Sequence, residues 1–97
     1  MDLSIVVSIK SSFSAWKEIF DNHSASRSEM ADEARTLVGK VSDKKAIVLM
    51  YNVDMKKMMA MMQDPQFDKL TEEHVEKHEI YNLQSFPDAI EKMRLAS

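Results

Sequence analysis

Cysteine is absent from this 97-residue chain, and it contains a single glycine. Without cysteine there is no disulfide, no thiolate metal site and no cysteine nucleophile, and nothing fixes the redox compartment. One glycine cannot build a glycine-rich loop, which argues against nucleotide binding through backbone amides. Basic runs are missing as well. No lysine or arginine stretch exceeds two residues, and the formal charge is −3. A nucleic-acid partner needs a concentrated basic surface, so none is expected. No segment approaches the ~20 apolar residues of a membrane span. The opening "MDLSIVVSIKSS" carries an acid where a signal peptide carries bases. These absences predict a cytoplasmic protein with no membrane and no nucleic-acid contact.

What remains is an ordinary globular composition, 44% apolar and 30% charged. The length predicts one domain over 1–97, with a core over about 2–86 and a tail over 87–97. A core this small is a natural candidate for reinforcement by oligomerisation.

Hydrophobic periodicity orders the chain. Leu3, Ile5, Val7 and Ile9 alternate with Ser4, Val6, Ser8 and Lys10, the period of a strand. Serines at 11, 12 and 14 can cap the helix that Phe13, Trp16, Ile19 and Phe20 then pattern. "DNHSASRSE" interrupts that pattern. Ser26 and Glu29 fit a capping box that would restart a helix, and a single bent helix over about 13–33 is the alternative. "ARTLVGKV" reads as a second strand, in which Gly39 marks a bulge or a close approach. "SDKK" is a turn, and "AIVLMYNV" is a third strand. Asp54 caps a helix that carries Met55, Met58, Met59 and Met62 on one face. Asp64 and Pro65 open a further helical stretch bearing Phe67 and Leu70. "KHEIYNLQSF" is a fourth strand, stopped by Pro87, and a short helical or frayed tail follows.

The order β-α-β-β-α-β predicts an α+β, ferredoxin-like sandwich: a four-stranded antiparallel sheet with the helices on one face. Right-handed crossovers put both helical segments on that face. The first and third strands are the most apolar, as central strands should be. The third strand carries Ala46, Val48 and Met50 on one side and Ile47, Leu49, Tyr51 and Val53 on the other. Two helices on one face can cover only that face, and the simplest cover for the other is another copy of the same sheet. A homodimer is therefore expected.

With "FSAWKEIF" in the opening helix and "DPQFDKL" before "HEIYNL", the βαββαβ order resembles the dimeric α+β barrel superfamily over roughly residues 2–86. It is most similar to the small bacterial members of about this length. The resemblance implies face-to-face packing of two sheets into a barrel. That superfamily includes quinol and haem monooxygenases, isomerases and ligand-sensing modules, so the fold alone does not select a function. Haem-degrading members resemble one another in a first-strand asparagine, a second-helix tryptophan and a histidine one turn after a phenylalanine. Here the first strand has no asparagine, Trp16 is on the first helix, and His74 follows Phe67 by seven residues, so haem oxygenation is disfavoured.

Candidate chemistry is sparse. The methionines offer soft-metal thioethers or, more simply, core packing. His74 and His78 could share a metal if both lay on one helix, but a strand beginning between them breaks that spacing, and no metal site is expected. His74, on the face of Phe67, is the candidate acid or base. Trp16, Tyr51, Phe67 and Asn82 are candidate ligand contacts, while His23 is expected to be exposed. No nucleophile–base pair is evident, and no cofactor is called for. Beside a purely structural protein whose only function is association, two functions follow. One is a binding or accessory module for a small, partly apolar metabolite. The other is a cofactor-independent monooxygenase or isomerase acting on a small aromatic or quinol-like substrate.

Overall fold

A computed structural model describes residues 1–83. Strand β1 (Leu3–Ile9) leads into helices α1 (Phe13–Asn22) and α2 (Ser24–Ser28) and a 3-10 turn (Glu33–Arg35). The hairpin β2 (Leu37–Ser42) and β3 (Lys45–Met50) follows, then helices α3 (Met55–Met62) and α4 (Pro65–His74), and finally β4 (Val75–Asn82). The sheet order is β2-β3-β1-β4, with every neighbouring pair antiparallel. This is the ferredoxin-like arrangement.

The central strands show why the sheet has two unlike faces. Leu3, Ile5, Val7 and Ile9 are buried, as are Ala46, Val48 and Met50, with which the first three pair across the ladder. Trp16, Met30 and Met58 complete the core from the helical side. The opposite face carries Val6, Ile47 and Leu49, all half-buried, together with the exposed Leu37 and Tyr81.

The caps account for the helix starts. Ser12 accepts from the Ala15 N–H, Asp54 from the N–H groups of Lys56 and Lys57, and Asp64 from Gln66 with Pro65 in the first turn. The restart after α1 falls at Ser24 rather than at a Ser26 cap. His23 is the junction, and the Arg27 N–H reaches the His23 carbonyl at 3.1 Å, so the helical phase carries through the bend.

Four further expectations are corrected. Gly39 marks neither a bulge nor a close approach, since a Cβ there would meet nothing nearer than the Ile47 carbonyl oxygen at 4.0 Å. The register shift lies between Lys40 and Ser42. Strand β3 ends at Met50, because Asn52 adopts φ 53° and turns the chain. Val53 therefore enters the core instead of the open face. On α3, Met58 is buried and Met61 packs against the core, whereas Met59 is 55% exposed. The expected C-terminal tail, and the strand's extension to residue 86, lie outside the described residues.

Candidate functional site

The helical layer does not seal completely onto the sheet. A cavity of about 130 Å³ remains between them. Ile5, Val7, Val48 and Met50 form its floor. Trp16, Ile19 and Phe20 line it from α1, and Met58, Met61 and Met62 from α3. Trp16 and Phe20 hold each other tilted, with ring centroids 5.1 Å apart. Phe67 and Thr71 close it from α4, and the Thr71 hydroxyl donates back to the Phe67 carbonyl at 3.0 Å.

Three histidines and one arginine reach this apolar space from separate elements. His74 ends α4, and its Nδ1 lies 2.8 Å from the Ser11 Oγ. The His74 carbonyl also accepts from the Lys10 N–H, so the end of β1 fixes the end of α4. His23 sits at the α1–α2 junction. Its Nδ1 lies 2.8 Å from the Ile19 carbonyl oxygen, which can only accept, so Nδ1 carries the proton. His78 lies on β4 opposite Val7 and stacks on Phe67, with centroids 6.3 Å apart. Burial lowers its pKa from the ordinary imidazole value, because the surrounding apolar atoms disfavour the charged form.

Arg27 is 6% exposed. Its Nε and Nη2 donate to the Glu33 carboxylate at 2.8 to 3.1 Å. Its Nη1 donates to the Phe20 carbonyl, and its guanidinium lies 3.6 Å from the centroid of the Phe20 ring. The pair locks α2 to the turn at Glu33–Arg35. Among the described residues, no aspartate, glutamate or lysine lines the cavity.

Of the residues singled out in the sequence, Trp16, Phe67 and His74 come together at this cavity. Tyr51 does not, because its ring lies 4.3 Å beneath the Arg35 guanidinium. Asn82 pairs with Leu3 at the end of β4 and is exposed, away from the lining. His23, expected in solvent, is half-buried and reaches the cavity. Sequence reasoning missed His23 and Arg27, although the signal was there. Residues 16, 20, 23 and 27 follow one helical stripe through the polar interruption. The strand does begin at Val75, between His74 and His78. Among the described residues, no three histidine, aspartate or glutamate side chains lie close enough to share a metal ion.

The chain matches no protein-family model, and no curated protein or solved structure shows significant similarity to it.

Proposed function

We propose that this protein is a homodimeric α+β barrel that binds a small, partly apolar metabolite in the cavity of each subunit. One observation carries the reading: the partly open space beneath α1, α3 and α4, walled by aromatic rings and methionines and bearing a few polar groups from different elements. That combination, apolar walls with sparse polar groups, is what a small-molecule site requires. A purely structural domain of this size gains nothing from leaving it unfilled, since voids weaken a core.

Dimerisation draws support from the open sheet face. Leu37 and Tyr81 are 57% and 53% exposed beside Val6, Ile47 and Leu49. Burying a few hundred Å² there, at ~25 cal/mol per Å², contributes several kcal/mol before association costs. Barrel closure by a second copy would place those side chains in a shared core. This is the arrangement that the resemblance to dimeric α+β barrels implies.

A catalytic reading, as a cofactor-independent monooxygenase or isomerase, draws on one contact. Ser11 holds the His74 ring at the cavity wall, where an imidazole can serve as acid or base. The binding module is preferred because the lining is mostly apolar and His74 makes no hydrogen bond to any of the other polar side chains that reach the cavity, among the described residues.

Titration with toluene, followed by Trp16 fluorescence, tests the cavity. Saturable quenching or shift is expected, with a rise in Tm from preferential binding to the folded state. No spectral change up to the solubility of toluene would refute the module. Light scattering tests assembly, and a monomer mass at all concentrations would remove the dimer.

A further inference from the structure

We propose that the cavity takes a small monocyclic aromatic carboxylate, about the size of benzoate, with its ring among the methionines and its carboxylate on the His78 imidazole. The proposal rests on the binding-module reading and names the ligand class of that site.

Size sets the first limit. A dry apolar cavity of about 150 Å³ accommodates benzene. The cavity here, about 130 Å³ and partly open to solvent, is therefore of the size for one ring, with room for a short substituent only where it opens. The lining sets the second. Met30, Met50, Met58, Met61 and Met62 all reach it, beside Trp16, Phe20 and Phe67. Thioether sulfur makes favourable contacts with ring edges and adapts its shape to them, so this wall favours a flat aromatic over a branched aliphatic.

Charge sets the third. A carboxylate in an apolar space needs a hydrogen-bonded partner of opposite sign. With no acid among the described residues of the lining, none of them repels it. Arg27 is already committed to Glu33 and to the Phe20 carbonyl. The Nδ1 atoms of His23 and His74 are committed to Ile19 and Ser11, which leaves each only its Nε2, and the His74 Nε2 lies 3.9 Å from the Glu73 carboxylate. His78 makes no hydrogen bond among the described residues, so its ring nitrogens are available to a ligand. A carboxylate arriving beside it draws a proton onto the imidazole and forms a charge-assisted pair.

The proton balance gives the signature. Burial keeps His78 neutral in the empty cavity at neutral pH. Ligand and proton therefore enter together, the proton coming from solvent. Affinity for the anion rises as pH falls, by up to about tenfold per pH unit, until His78 is protonated in the free protein as well. Among the described residues, the other titratable groups at the cavity are His74 from α4, His23 from the α1–α2 junction, and Arg27 from α2 with its Glu33 partner. Strand β1 and helix α3 present only apolar side chains to it.

The test is calorimetry on the full chain with benzoate and with toluene, at about pH 6 and about pH 8, in two buffers of different ionisation enthalpy. Benzoate should bind about tenfold or more tighter at the lower pH, with close to one proton taken up, while toluene binds equally at both. His78→Gln should abolish the pH dependence for benzoate and retain toluene binding, which also reports that the variant is folded. His74→Gln should keep the pH dependence. Toluene binding without benzoate binding overturns the carboxylate proposal alone, as does a pH dependence that survives His78→Gln or disappears in His74→Gln. Binding of neither probe overturns the cavity reading with it.

Discussion

Replacing Met58 and Met59 separately by alanine tests the helix phase on which the cavity depends. The two residues are adjacent, chemically identical and equally far from the helix caps, so propensity and capping cancel between them. Their environments differ sharply: Met58 is 4% exposed within the core cluster and Met59 is 55% exposed. Truncating a buried methionine costs about 2–5 kcal/mol, as lost transfer energy plus the void left behind. Met58 already borders the cavity, so it has fewer packing partners to lose than a fully enclosed side chain, and the lower half of that range is expected. Met59→Ala should fall within about 0.5 kcal/mol of wild type. Urea unfolding followed by Trp16 fluorescence and far-UV circular dichroism gives both values. With a slope of about 1–2 kcal/mol per M, Met58→Ala should lower the midpoint by about 1–3 M and Met59→Ala should barely move it. Equal shifts, or the larger one at Met59, would refute this packing of α3.

Arg27→Ala should destabilise by about 2–4 kcal/mol in the same assay, because it leaves the Glu33 carboxylate, one-fifth exposed, without its cation. Arg27→Met combined with Glu33→Met should recover part of that loss, and a strictly additive double variant would show the pair is not coupled. Asn52→Gly should be neutral or slightly stabilising at φ 53°, whereas Asn52→Val should cost about 1–3 kcal/mol; equal stability of the two would contradict the left-handed turn. Stability should fall as the pH drops through about 6.5, because unfolded His78 takes up a proton there before the folded one does, and level off below the folded value. His78→Gln should flatten that part of the profile, and an unchanged slope would reject burial as its cause.

The sheet was legible in the sequence because its side chains differ strongly in kind. Alternation of Leu3, Ile5, Val7 and Ile9 with serines encodes both a strand and its buried face. The capping residues Ser12, Asp54 and Asp64 could be read from their chemistry alone. The phase of α3 could not. Five methionines spread around the helix, and Met59 and Met61 lie about 160° apart at about 100° per residue. Identical side chains on so wide an arc leave a rotation of about 40° undecided, and the sheet contacts settle it in favour of Met61. The cavity was half legible. Trp16, Phe67 and His74 belong to apolar helical stripes, but His23 and Arg27 were concealed by the polar residues around them. The positive φ at Asn52 leaves little trace in composition, so the end of β3 and the burial of Val53 emerged only from the backbone path.

Methyl NMR of the protein labelled at its methionine methyl groups, titrated with toluene, tests the central claim most directly. The account predicts that Met30, Met50, Met58, Met61 and Met62 shift together and saturably, since all five line the cavity, while the exposed Met59 stays in place. Shifts at Met59 without change at Met58 and Met61, or no saturable shift at any methionine, would contradict a ligand cavity between the helices and the sheet.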